Sequence, residues 1–116
     1  MKKDSFVFLE HIIDCIELIE TYTKGKKLAD FENDPQLQDA VIRRIEIIGE
    51  AAKSVPENLK QKYSKVPWKA VAGMRDILIH QYFGVSLEST WNVVVKEIPG
   101  LKRQILKIIN DLRKGK

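Results

Sequence analysis

Cys15 is the only cysteine among 116 residues, so no disulfide can form within the chain and a reducing compartment is expected. Long apolar runs are also missing. None approaches the roughly 20 residues that a helix needs to cross a bilayer, so no membrane span is expected. The opening Met1-Lys2-Lys3 carries the charge of a secretory leader without its apolar stretch, because Asp4, Glu10, His11, Asp14 and Glu17 interrupt it. No small-residue cleavage site follows. A cytoplasmic location is the expectation. The chain also has no internal repeat and no low-complexity tract, which excludes solenoids and linkers.

What is present is an ordinary globular composition. Apolar residues make up 44% of the chain, too many for a disordered segment, and 31% charged residues supply a solvated surface. One core and one domain over residues 1–116 are expected at this length. The 20 basic residues exceed the 16 acidic ones, for a net charge of +4. That excess permits a nucleic-acid partner without requiring one.

Apolar spacing is helical throughout. Asp4 or Ser5 is placed to cap a first helix with the stripe Phe8, Leu9, Ile12, Cys15, Ile16, Ile19 and Tyr22, ending before Gly25. Residues 26–33 form a connector with one possible helical turn around Leu28 and Phe31. Asp34-Pro35 is a strong start signal for a helix bearing Leu37, Val41, Ile45, Ile48 and Ala52. Gly49 inside it costs about 1 kcal/mol relative to alanine, which points to close approach of another helix or room for a ligand.

Pro56 opens a short turn through Leu59 and Tyr63, and Pro67 starts a helix with Trp68, Val71, Met74 and Leu78 on its core face. Gly84 breaks that pattern and Ser86 can cap the next helix. From Trp91 the stripe Val94, Ile98, Leu101, Ile105, Ile108 and Leu112 keeps its phase across Pro99. One kinked helix, or two nearly coaxial ones bent at Pro99, is expected. The economical fold is all-α, an up-and-down bundle of four to five helices.

The segment Arg75-Asp76-Ile77-Leu78-Ile79-His80-Gln81-Tyr82 holds the chemistry. Arginine offers a permanently charged fork that fits a phosphate, and imidazole exchanges protons near neutral pH. Gripping a phosphodiester and moving protons are the minimum for cleaving RNA without a metal. Arg75 and Tyr82 are seven residues apart and share a helix face. Arg75 and His80 are five apart, roughly 140° around the axis. Either the helix opens near His80, or two chains bring their motifs together in a site with two arginines and two histidines. Asp76, four residues before His80, could orient the imidazole through a hydrogen bond, or simply pair with Arg75.

Arginine, a polar residue, three apolar residues, histidine, any residue and tyrosine resemble the signature of the HepT-like toxins of the HEPN superfamily. The resemblance extends to Arg44–Lys53, to Trp68–Met74 and to Trp91–Leu101, nearly the whole chain. It implies a homodimeric HEPN-like bundle with facing motifs. It implies metal-independent RNA cleavage in which the ribose 2′-hydroxyl attacks the adjacent phosphate. His80 would assist proton transfer and Arg75 would stabilise the phosphoryl oxygens, with Asp76 at the polar position after the arginine. Tyr82 matches the tyrosine that a partner nucleotidyltransferase antitoxin modifies with adenylate. No cofactor and no metal are called for.

Two function classes stay open on sequence alone. One is a toxin-type endoribonuclease held in check by its antitoxin. The other is a non-catalytic module that binds a nucleotide or docks a nucleotidyltransferase. Glu46 and Glu50, one turn apart, could pair or bind a metal, but Arg43 and Lys53 beside them favour a charge network. His11 has no chemical company and is expected at the surface. The late cations Lys102, Arg103, Lys107, Arg113, Lys114 and Lys116 could track an RNA backbone or complement a helix dipole.

Overall fold

The computed structural model describes residues 2–81 and 87–115, without the side chains of residues 2–5 and 75–81. Among the described residues every regular element is helical. Helix α1 (Lys2–Thr23) begins ahead of the cap expected at Asp4 or Ser5. Its buried stripe is Leu9, Ile12, Ile13, Cys15, Ile16 and Ile19, with Phe8 and Tyr22 half-buried at the edges. The helix is closed off by Gly25, whose φ of 72° is left-handed and unstrained only without a side chain.

The connector does fold into a single turn, α2 (Leu28–Glu32). The Lys27 N–H donates to Asp30 Oδ2 at 2.8 Å and steadies its start. Phe31 is fully buried, and its ring lies 5.2 Å from that of Trp91, so the turn plugs one end of the bundle. Helix α3 (Pro35–Ser54) starts as its sequence dictates: Asp34 Oδ1 accepts the Leu37 N–H at 3.1 Å, and Pro35 occupies the first turn where no donor is needed. Leu37, Val41, Ile45, Ile48, Gly49, Ala51 and Ala52 form its buried side. Each fully buried isoleucine here contributes about 1.5–3 kcal/mol through area removed from water.

Two further elements set up the candidate site. Helix α4 (Glu57–Lys62) buries only Leu59. Helix α5 (Trp68–Gln81) follows Pro67 and roots its first turns in the core through Trp68 and Val71. The Trp68 indole donates its Nε1–H to the Tyr63 carbonyl at 3.1 Å, so the turn before α5 is tied to its first residue. Leu78, expected on the same core face, has a side chain outside the described residues.

The last rod runs without interruption through α6 (Leu87–Asn92), a π-helical turn (Val93–Glu97) and α7 (Ile98–Lys114). The disturbance expected at Pro99 takes the form of this π turn just upstream. Proline has no N–H and its ring crowds the carbonyl four residues back, at Val95. The backbone widens before the ring arrives, and the Ile98 N–H bonds to Val93 O, five residues earlier. Phase survives, as the sequence stripe requires: Val94, Ile98, Leu101, Ile105 and Ile108 are all buried.

Helix α7 is lashed to α1 by Lys102–Glu20 at 2.9 Å and Arg113–Glu10 at 3.8 Å. These pairs run in opposite residue order, so the two helices are antiparallel. The four long rods α1, α3, α5 and α6–α7, with the single turns α2 and α4, make the expected up-and-down bundle. No helix among the described residues is long and apolar enough to cross a membrane.

Candidate active site on helix α5

Arg75, Asp76 and His80 all fall on α5, whose helical backbone is unbroken through Gln81. The opening of the helix near His80, one of the two arrangements expected, is not what the backbone does. From Arg75 to His80 an intact helix advances about 7.5 Å and leaves the two positions roughly 140° apart. Asp76 and His80 are about 6 Å apart along the axis and roughly 40° apart around it, on one side. The side chains of these three residues, and Tyr82 altogether, lie outside the described residues. The expectations placed on their contacts therefore lie there too.

Residues that hold α5 in place are well defined. Trp68 and Val71 are buried and Met74 is half-buried immediately before Arg75. On one flank, a groove of about 440 Å³ separates α5 from the π turn and α7, with Val71, Met74, Val93 and Ile98 as its apolar floor and Lys96 at its rim. On the other, a wider groove of about 980 Å³ lies between the end of α3, α4 and the start of α5. Its cations are Lys53, Lys60 and Lys69.

Among the described residues, titrating groups with perturbed behaviour include Cys15, Tyr63 and Asp111. Burial pushes the Cys15 thiol above its ordinary value, and the Arg44 hydrogen bond only partly offsets this. Tyr63 is pushed up by burial and by donating its hydroxyl to Asp111, and the same bond holds Asp111 below the usual carboxylate range. Glu46 is half-buried and pairs with Arg43 at 3.9 Å, one of the contacts expected of it. His11 is exposed. Among the described residues, no three His, Cys, Asp or Glu side chains gather as a metal site would need.

Three of the six late cations are engaged in ion pairs. Lys102 and Arg113 pair with acids of α1, and Lys107 pairs with Asp111 at 3.4 Å. The five lysines around α4 make no ion pair among the described residues. Charge counted segment by segment, rather than position near a helix end, is the signal that finds them.

Known proteins resemble this chain over nearly all of its length. The model of the family described as ribonuclease HepT-like matches residues 12–108, a span that includes the whole of α5. A protein of Methanocaldococcus jannaschii named "Gamma-glutamylcyclotransferase and putative RNase" is 58% identical over 116 residues. All of this chain is covered there, but it spans only about half, 52%, of that relative. A "Putative RNase" of Caldanaerobacter subterraneus subsp. tengcongensis is 48% identical across 88% of this chain and 91% of its own. The "Probable ribonuclease HepT" of Thermococcus cleftensis is 44% identical across 93% of this chain and 98% of its own. No solved structure shows a significant likeness to the chain. With the family model reaching from within α1 to within α7, the chain belongs to the HepT-like ribonuclease family.

Proposed function

We propose that this protein is a metal-independent endoribonuclease of the HEPN type, acting as the toxin of a toxin–antitoxin pair. The observation that carries the reading is the register of Arg75, Asp76 and His80 on one intact helix inside the family match. In the proposed reaction His80 takes the proton from a ribose 2′-hydroxyl as that oxygen bonds to the adjacent phosphorus. The bond from phosphorus to the 5′-oxygen breaks, and a second imidazole returns a proton to the leaving oxygen. Arg75 holds the non-bridging oxygens as negative charge builds on them. Asp76 orients the imidazole from one turn away.

A closed α5 keeps Arg75 and His80 of one chain well apart in register, which supports a site shared by two chains. The proposed assembly is a homodimer with the segment from Arg75 to Tyr82 at or beside the interface. Control is proposed to come from a nucleotidyltransferase antitoxin that attaches adenylate to Tyr82, so that a phosphodiester and a bulky base occupy the cleft in place of RNA. Incubating the purified protein with total RNA beside a His80→Ala control tests the reading. Cleavage by the wild type alone supports it, and equal cleavage by both contradicts the role of His80.

A further inference from the structure

The net charge of the chain has an address. Residues 53–69 hold five lysines, Lys53, Lys60, Lys62, Lys65 and Lys69, against one acid, Glu57. That balance of +4 equals the net charge of the whole protein, so the remaining residues hold 15 charges of each sign and are neutral as a group. The fold gathers this segment at one end of the bundle, where the end of α3, α4 and the start of α5 meet. Lys60 is half-buried and the other four lysines are exposed.

None of the five makes an ion pair among the described residues. Lys60 Nζ donates to the Lys53 carbonyl at 3.3 Å, and Lys62 stands 5.6 Å over the Tyr63 ring. Outside the segment four cations do pair with acids: Lys102 with Glu20, Lys107 with Asp111, Arg113 with Glu10 and Arg43 with Glu46. Like charges kept together without counter-charges repel one another and cost stability, so the arrangement fits a partner that supplies the anions. The ground between them is concave rather than flat. Lys53, Lys60 and Lys69 line the groove of about 980 Å³ against the single acid Glu57, with Gln61 and Ser64 as neutral donors. Its floor is fixed, since the Trp68 ring is buried and its Nε1–H is already bonded to Tyr63 O.

The groove also points toward the candidate site. Lys69 and His80 are eleven residues apart on α5, which places them roughly 20° apart in register and about 16 Å apart along the axis. Asp76 falls between them on the same stripe.

We infer that the lysine groove around α4 seats the sugar–phosphate backbone of the RNA strand that α5 leads to the cleavage segment. This rests on the ribonuclease reading for the identity of the polyanion, but the seat is tested by binding, not by turnover. Lysines act here as point charges on phosphates and carry no base code, so the seat adds affinity without sequence preference.

The test is fluorescence anisotropy with a labelled single-stranded 2′-O-methyl oligonucleotide, which has no free 2′-hydroxyl to attack and stays intact. Dissociation constants are measured across salt for the wild type, for K53Q/K60Q/K69Q and for a control, K24Q/K26Q/K27Q, which removes the same charge outside the groove. Each phosphate contact on a single strand contributes about 0.7 to the slope of log K against log salt. The groove variant should lose about 2 from that slope and bind more weakly, while the control keeps the wild-type slope. Circular dichroism should show both variants folded, because every replaced lysine is exposed or half-exposed.

No binding by the wild type, an unchanged slope in the groove variant, or an equal loss in the control would each overturn the seat. Groove-dependent binding of a labelled poly-glutamate peptide with no effect on the oligonucleotide would assign the groove to an acidic protein instead. Slope loss without any RNA cleavage by the wild type would leave the seat standing and remove the ribonuclease reading. Cleavage with an unchanged KM in the groove variant would do the reverse.

Discussion

Tyr63 and Asp111 meet across 48 residues of sequence: the phenol donates to Oδ2 at 3.1 Å and ties the turn before α5 to the last turns of α7. Lys107 shares the same carboxylate oxygen at 3.4 Å. Gln104 adds a bond from its Nε2 to the Lys65 carbonyl at 3.4 Å, so the connection into α5 is clamped from two positions on α7.

This clamp gives the fold a defined acid sensitivity. Asp111 is held below its ordinary value of 3.8, first by the Tyr63 hydrogen bond and then by Lys107. A group whose folded value is depressed stabilises the fold above its unfolded value, and that contribution is lost as pH falls through the depressed one. Asp111→Asn should therefore lower the urea midpoint at pH 7 and at pH 5. The gap to wild type should close as pH falls below about 4. A gap that stayed constant down to pH 3 would show that the clamp does not depend on the charge of Asp111.

Cys15 reports on the core. It is 3% exposed, and burial raises its thiol above the ordinary value of 9.0. The thiolate is the reactive form, so a thiol reagent should react slowly with the native protein and at the rate of a free thiol in urea. Fast reaction under native conditions would place α1 elsewhere than against α3.

A homodimer is the assembly expected from an intact α5. Light scattering at micromolar concentration should give twice the chain mass of 13.4 kDa. A monomer that nonetheless cleaved RNA would remove the shared site from the account.

Tyr82 carries the proposed control. Co-expression with a cognate nucleotidyltransferase should add one or more AMP masses to the chain, mapped to the peptide that contains Tyr82. Tyr82→Phe should fold and escape the modification. An unmodified chain that is still neutralised would point to steric masking by the partner.

Most of the bundle was legible because its signals are local. Asp34-Pro35 before a 3-4 stripe specifies a helix start with both a capping acceptor and a residue that needs no donor, and the structure uses both. The phase of Val94, Ile98, Leu101 and Ile105 likewise survived to become the buried side of the last rod. The π turn was less legible. Pro99 announces a disturbance, but whether the chain bends or widens depends on keeping Val94 and Ile98 in the same core. The start of α1 was misplaced because a capping residue shows where a helix can begin, not where it must.

At the candidate site the sequence supplied the residue types and their register, and α5 is helical through both Arg75 and His80, so the two positions keep the separation of a closed helix. The partners of the cations could not be read in advance. Lys102 with Glu20 is a contact across 82 residues, and only the fold shows which cations of α7 meet an acid and that the lysines around α4 make no ion pair among the described residues.

The central claim is that Arg75 and His80 cleave RNA by 2′-hydroxyl attack without a metal. The most direct measurement is the product end group and rate with a single-stranded RNA in EDTA, for the wild type, Arg75→Ala and His80→Ala. The wild type should leave a 2′,3′-cyclic phosphate or its hydrolysis product opposite a 5′-hydroxyl. Each variant, folded by circular dichroism, should be slower by about 10²–10³-fold, the usual cost of removing a charge-stabilising donor. Cleavage that required magnesium, left a 5′-phosphate, or survived both substitutions would contradict the claim.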